Sequence, residues 1–389
     1  MSTPSSAPKI LLTGATGYVG GTVLHRLLNH PSFTSSPAAS NPITLPVRRG
    51  AGGDDRMAKL TAAYGGDRVK PVAITSLDDV DAMQALAAQH DIVVNAGTGF
   101  HPPSAEALMR GLAARKASSA SNGPVWMIHT SGCSNISDKP LTGVARPDVE
   151  YDDADSAGVF AFEQAANETE WYAQRAAELG VLRLGEELGV PAISVQAPCI
   201  FGTGEGLFQQ AGLMIPVMMA HVLQKGYGFS VGDGTGDIDY VHVADLADLY
   251  VLCLLDVLEN GGKKLRTGRD GIVFPTNGRT LTRDIAVRCL DVAFEKGHLP
   301  IEGGPQEKEI RVLSLEDSVA MTAGNAYIAE TGLTGHRKTK GTVARERLGW
   351  NPVYGKEAWE KDFETELQAA VEGKRPSTFQ ACIAADEKK

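Results

Sequence analysis

Residues Lys9-Ile10-Leu11-Leu12-Thr13-Gly14-Ala15-Thr16-Gly17-Tyr18-Val19-Gly20-Gly21 constrain the fold more than any other part of this chain. A short apolar run that suits a buried strand passes into glycines three residues apart and then into an amphipathic helical pattern. Glycines at 14, 17 and 20 allow a tight turn, a close approach of backbone to a ligand, and close packing of the new helix on the sheet. The helix N-terminus would turn its free N–H groups toward an anion. The segment therefore reads as a dinucleotide-phosphate cradle lined by Gly14, Thr16, Gly17, Tyr18, Val19 and Gly20.

The rest of the amino-terminal half repeats a strand–helix rhythm. A helix is expected from Val19 to about Asn29, a Pro/Ser/Ala loop over 31–42 and a second strand at Ile43–Val47. Short apolar runs at Val72–Ile74, Ile92–Val94, Val125–Ile128 and Ile193–Val195 follow, separated by helical patterns at Asp78–His90 and Ala105–Ala117. Such alternation predicts an α/β protein with a Rossmann-type, doubly wound parallel sheet covered on both faces. Residues 1–201 would form the dinucleotide-binding domain, with 237–258 returning to it. Residues 202–389 would form mainly a smaller C-terminal α/β substrate lobe, and both chain ends are expected to be loosely ordered.

Between 135 and 170 prolines and the acidic cluster Asp148, Glu150, Asp152, Asp153 and Asp155 break the rhythm before a long helix that starts near Glu168. This stretch reads as a solvated loop, with a lid beside the active site as the alternative.

Composition narrows the function classes. With 389 residues, 43% apolar and 22% charged, the chain buries a full core. A net charge of −10 and the lack of a basic stripe with interleaved aromatics argue against a nucleic-acid partner. The five cysteines are scattered without C-x-x-C spacing, so no metal site is expected. No apolar leader and no run of about 18 apolar residues is seen, so a cytoplasmic protein with no membrane partner is expected, as a monomer or homodimer.

Cofactor choice is read at the end of the second strand, where Pro46-Val47 runs into Arg48-Arg49-Gly50. An acidic residue there favours NAD, whereas guanidinium groups accommodate the additional phosphate of NADP. Arg48 and Arg49 thus argue for NADP. The small residues Ala96, Gly97 and Thr98 after the fourth strand would let the cofactor lie across the sheet edge.

The wording T-G-A-T-G-Y-V-G resembles the extended or atypical short-chain dehydrogenase/reductases, of the NAD(P)-dependent epimerase/dehydratase type. Three later segments resemble the same family: Ile193-Ser194-Val195-Gln196-Ala197-Pro198-Cys199-Ile200-Phe201-Gly202, Asp239-Tyr240-Val241-His242-Val243-Ala244-Asp245-Leu246-Ala247, and Leu348-Gly349-Trp350-Asn351-Pro352. The combination of Ile128-His129-Thr130-Ser131-Gly132, Arg175 and Gly202-Thr203-Gly204-Glu205-Gly206-Leu207-Phe208 is similar to a fungal subgroup associated with secondary metabolism.

The resemblance implies that Ser131, at the end of the fifth strand, polarises a substrate oxygen and that Pro198 shapes the nicotinamide pocket. It also implies a Tyr-x-x-x-Lys pair on the next helix, and that pair is not intact here. One alignment puts Trp171 and Arg175 at the two positions, whereas the other puts Tyr172 and Ala176 there. Tyr172, or a water held near Arg175 and His129, would supply the proton, and Leu207, Phe208, Met214, Ile215 and Met218 would wall the substrate.

The expected activity is NADP-dependent hydride transfer to or from a carbonyl or hydroxyl carbon of a small metabolite substrate. Redox-neutral epimerase, dehydratase or cyclase-like chemistry on the same fold is an alternative, and a non-catalytic NADP-sensing protein is a further one.

Overall fold

The computed structural model describes residues 7–50, 52–118 and 123–374. The two chain ends expected to be loose, 1–6 and 375–389, lie outside the described residues.

The amino-terminal half alternates as its pattern dictates: β1 (Ile10–Thr13), α1 (Tyr18–Asn29), the single turn α2 (Pro31–Thr34), β2 (Ile43–Arg48), α3 (Gly53–Tyr64), β3 (Val69–Ile74), α4 (Val80–Ala87), β4 (Ile92–Asn95), α5 (Pro102–Ala117) and β5 (Trp126–Gly132). Then come β6 (Glu150–Asp152), α6 (Ser156–Thr169), α7 (Ala173–Leu188), β7 (Ala192–Ala197), β8 (Cys199–Phe201), α8 (Met214–Lys225), β9 (Gly228–Val231), β10 (Asp237–His242) and α9 (Val243–Asn260). The chain continues through β11 (Ile272–Val273), β12 (Gly278–Leu281), α10 (Thr282–Glu295), β13 (Ile310–Leu313), α11 (Leu315–Val319), α12 (Ala326–Leu333), β14 (Lys338–Lys340), α13 (Thr342–Leu348) and α14 (Lys356–Val371).

Seven parallel strands form the central sheet in the order β3-β2-β1-β4-β5-β7-β11. The order reverses between β1 and β4, and ligands of doubly wound sheets bind beyond the strand carboxyl ends at such a switch. Alternate strand residues feed two cores, because successive side chains point to opposite faces. Ile10, Leu12, Val94 and Ile128 pack with α1 and α9 on one face. Leu11, Val93 and Met127 pack with α4, α5 and α7 on the other. A third core, built from α8, α10, α14, β9 and β10, belongs to the carboxyl-terminal half.

Two departures from the sequence reading matter for the site. Much of the stretch read as an acidic loop is the helix α6, capped by Asp155, whose carboxylate accepts from Gly158 N at 3.2 Å. Asp153 is fully buried and accepts from the backbone N–H groups of Phe274, Thr342 and Val343, so this acid ties two distant segments together. The helix expected to start near Glu168 is α7, which begins at Ala173 with Tyr172 as its N-cap. A seventh strand, β11, is only two residues long and has no periodicity to announce it.

Candidate active site

The cradle is built by backbone contacts that exclude side chains. Gly14 sits at φ +75°, and a Cβ there would come within 2.3 Å of Ala96 O. A Cβ on Gly20 would meet Gly14 O at 2.3 Å. Gly17 is different: it is the N-cap of α1 without a side-chain capping bond, and its Cβ would meet only Gly14 O, at 3.2 Å. Two glycines thus seat the turn against β4, while the third keeps the first helical turn open to an anion. Thr16 lies in the turn itself.

Polar side chains stitch the neighbouring strand ends. Thr13 Oγ1 donates to Asn95 Oδ1 at 2.6 Å and accepts from Gly97 N at 3.2 Å. Asn95 Nδ2 lies 2.9 Å from His129 Nδ1. Burial pushes the His129 pKa down to about 4, so the imidazole is neutral and orders Asn95. Expected to help supply a proton, His129 instead lies fully buried beneath the strand ends.

A loop over 202–213 crosses α1. Tyr18 Oη donates to Gly202 O at 2.5 Å, and Arg26 makes a bidentate pair with Glu205 at 2.5 and 2.6 Å. Gly21 and Gly206 are so close that a Cβ on Gly206 would be 2.8 Å from Gly21 Cα. The Tyr18 ring therefore anchors this loop and Val19 packs on the core, which leaves their backbone for the cradle. Arg48 and Arg49 are exposed at the end of β2, and Pro198 is buried between β7 and β8. The backbone cradle, the open first turn of α1 and the basic end of β2 fit a dinucleotide.

Beyond β5 the hydroxyl that meets Tyr172 is that of Ser134. A turn of 3-10 helix over Cys133–Ile136 places Ser134 Oγ 3.1 Å from Tyr172 Oη, where it donates to Gln174 Oε1 at 2.5 Å. Ser131 faces the other way, accepting from Asn135 Nδ2 at 3.0 Å and lying against Glu178. Trp171, the alternative to Tyr172 in the alignment, is 66% exposed. Burial pushes the Tyr172 phenol well above its ordinary pKa, opposed by Ser134 and by the positive charges of Arg175 and Arg337. Tyr172 is therefore a neutral donor.

Apolar groups close the surroundings of Tyr172. The Tyr327 ring packs on it at 4.5 Å with a tilt of 32°, Phe100 meets it edge-on at 5.8 Å, and Leu213 and Ile328 complete the cluster. Met214, Ile215 and Met218, expected to wall the substrate, instead fill the third core, Phe208 packs against the first, and Leu207 is 42% exposed. Arg175 lies across both tyrosines: its guanidinium is 5.7 Å from the Tyr172 ring and its NH2 group donates to Tyr327 Oη at 2.5 Å.

Beneath the site, Glu163 of α6 and Glu178 of α7 face each other in full burial. Asn135 and Gln196 donate to them at 3.0 and 2.5 Å. Burial and mutual repulsion raise the Glu163 carboxyl, and burial raises that of Glu178, so the pair retains a proton. Ser134, Gln174, Glu163 and Tyr327 escaped the sequence reading. Only Ser134 carried a signal, its place three residues after Ser131 in the same strand-end loop.

A carboxyl-end cradle on a doubly wound sheet, with a Ser–Tyr hydroxyl pair beside it, defines a Rossmann-type α/β protein. Residues 152–265 match the model of the NAD dependent epimerase/dehydratase family.

Among curated proteins it is similar to "Oxidase ucsJ" of Acremonium sp, 26% identical over 353 residues that span 89% of this chain and 93% of that protein. Two solved structures share the fold. One is DesIV, a dTDP-glucose 4,6-dehydratase from Streptomyces venezuelae solved with NAD bound, with a TM-score of 0.61, 14% identity and coverage of 94% and 97%. The other is the UDP-glucose 4-epimerase of Thermotoga maritima, with a TM-score of 0.56, 14% identity and coverage of 94% and 99%. Among the described residues no helix is long and apolar enough to cross a membrane, and no cluster of His, Cys, Asp and Glu suits a metal ion.

Proposed function

We propose that this chain is an NADP-dependent oxidoreductase that acts on a carbonyl or hydroxyl carbon of a small, largely apolar metabolite, in secondary metabolism. The observation that carries this reading is the Ser134–Tyr172 pair at the carboxyl end of β5, next to the cradle. Gly14, Thr16, Gly17 and Gly20, with the backbone of Tyr18 and Val19, would hold the pyrophosphate. Arg48 and Arg49 would hold the adenosine phosphate, and Ala96, Gly97, Thr98 and Pro198 would flank the nicotinamide, which supplies or accepts the hydride.

The chain's own groups do the rest. The proton of Ser134 is given to Gln174 Oε1, so the phenolic proton of Tyr172 is left for Ser134 Oγ, for Gln174 Oε1 at 3.5 Å, or for a substrate oxygen. When that oxygen gains negative charge, Tyr172 donates to it and Ser134 holds it in place. Arg175 and Arg337 ease the loss of the phenolic proton by their charge. Phe100, Leu213, Tyr327 and Ile328 keep water away, which strengthens both hydrogen bonds.

The relative called an oxidase supports net redox chemistry, whereas the family model supports a redox-neutral epimerase or dehydratase cycle as a second reading. Calorimetric titration with NADPH, NADP⁺, NADH and NAD⁺, repeated on the Arg48→Ala/Arg49→Ala variant, tests the foundation of both. Micromolar NADPH binding that weakens at least tenfold in the variant is expected. No binding of any of the four nucleotides overturns the proposal, and conversion of a substrate without net NADPH consumption favours the second reading.

A further inference from the structure

A phenol carries one proton and two lone pairs, whereas a guanidinium can only donate. The bond from Arg175 Nη2 to Tyr327 Oη at 2.5 Å therefore uses a lone pair of that oxygen and leaves the Tyr327 proton to point elsewhere. Among the hydrogen bonds of the described residues, none takes that proton. Tyr172 stands differently, because its Oη lies 3.1 Å from Ser134 Oγ and 3.5 Å from Gln174 Oε1.

Both hydroxyls are held at the same turn. Tyr172 Oη meets Ser134, and the guanidinium bound to Tyr327 Oη also donates through Nε to the carbonyl of the next residue, Asn135, at 3.1 Å. The two rings are 4.5 Å apart. Helix α12, which carries Tyr327, is tied to that turn where Ser137 Oγ donates to Thr331 O at 3.0 Å. Its Glu330 carboxylate accepts from Leu141 N and Thr142 N, both at 2.8 Å, and from Thr142 Oγ1 at 2.6 Å. The second phenol is thus fixed from two sides, and Tyr327 itself is only partly buried.

A carbonyl oxygen that becomes an alkoxide gathers charge that a single donor leaves partly unmet. Ser134 gives its proton to Gln174, so of the Ser134–Tyr172 pair only the phenol has one for the substrate. Tyr327 offers a further donor, and the bond from Arg175 strengthens it, because hydrogen bonds in a chain polarise one another. Burial raises the Tyr327 phenol against the charge of Arg175, so Tyr327 keeps its proton.

We propose that Tyr327 is a second catalytic phenol, whose O–H hydrogen-bonds the reacting oxygen alongside Tyr172 and forms with it a two-donor oxyanion site. Tyr172 transfers its proton to that oxygen, while Tyr327 retains its own and is held in place by Arg175. This inference rests on the reading of Tyr172 as the reacting edge of the site.

Binding of a stable oxyanion tests it without turnover. 4-Nitrophenolate and uncharged nitrobenzene are titrated into the NADP⁺-loaded protein at a pH that ionises the first. In the wild type the phenolate is expected to bind about tenfold or more tightly than nitrobenzene. Tyr327→Phe keeps the ring and loses only the hydroxyl. It is expected to weaken phenolate binding about tenfold, while nitrobenzene and NADP⁺ binding change by less than about twofold. Tyr172→Phe is expected to cost the phenolate a similar factor. Equal binding of the two probes to the wild type, no binding of the phenolate, or an equal loss of both probes in Tyr327→Phe overturns the inference. A loss confined to Tyr172→Phe also overturns it but leaves the reading of Tyr172 standing, whereas no loss in either variant overturns both.

Discussion

The cradle and the mouth of this site are built in opposite ways. The cradle is local: Gly14, Gly17 and Gly20 lie within seven residues, and Gly14 and Gly20 are imposed by backbone distances of 2.3 Å that leave no room for side chains. The mouth is assembled from afar, with Ser134 after β5, Tyr172 and Gln174 at the start of α7, and Tyr327 arriving from 152 residues beyond Arg175. A local device is specified by residue spacing, whereas an assembled one depends on how separate elements pack. The lesson is that the two parts of one site respond to different kinds of substitution.

The sharpest break falls within the cradle. Gly14→Ala puts a Cβ into Ala96 O at a left-handed backbone position and is expected to cost on the order of 3 kcal/mol of folding stability, read by denaturant melts. Gly17→Ala meets only Gly14 O at 3.2 Å; it should change stability by less than about 1 kcal/mol while weakening NADPH binding. Equal melting of the two variants would contradict the division of labour among the glycines.

Next in size is the mouth. Tyr172→Phe is expected to lower kcat roughly a hundredfold or more with NADPH affinity unchanged, and Ser134→Ala to exceed Ser131→Ala in its loss of kcat. Steady-state kinetics on the three variants decides which serine belongs to the reacting edge.

A smaller effect separates the site from its support. Glu366 is buried on α14, and burial together with Asp362 raises its carboxyl from the ordinary 4.5 to about 7. Between those values the folded state holds a proton that the unfolded chain has released, so stability falls as pH rises through this window. Glu366→Gln removes that loss and should stabilise the protein by on the order of 2 kcal/mol at pH 8 and by nothing below pH 4.5, in melts run at both pH values. The smallest effect is expected at Trp171, 66% exposed beside Tyr172: Trp171→Ala should leave kcat unchanged and stability within about 0.5 kcal/mol.

Legibility followed the same division. β1, its glycine turn and α1 were readable because their signals are adjacent in sequence, and six of the seven strands announced themselves as apolar runs. β11 did not, since a two-residue strand has no period. The acidic stretch ahead of α6 misled because Asp152, Asp153 and Asp155 suggest a solvated loop, whereas these carboxylates cap helices and bind distant backbone. Ser131 had the right position along β5, but strand alternation turns it toward Glu178, and only the turn at Cys133–Ile136 brings a hydroxyl round to Tyr172. Tyr327 and Arg337 gave no local sign, because their meaning comes entirely from the packing of α12.

The most direct test of the central claim is deuterium transfer from [4-²H]NADPH to a panel of carbonyl metabolites, followed by mass spectrometry of the products, with wild-type, Tyr172→Phe and Ser131→Ala proteins. The account predicts one deuterium on the former carbonyl carbon with the wild type and with Ser131→Ala, and a rate at least a hundredfold lower with Tyr172→Phe. Absence of label in every product, or transfer that Tyr172→Phe leaves untouched, would contradict it.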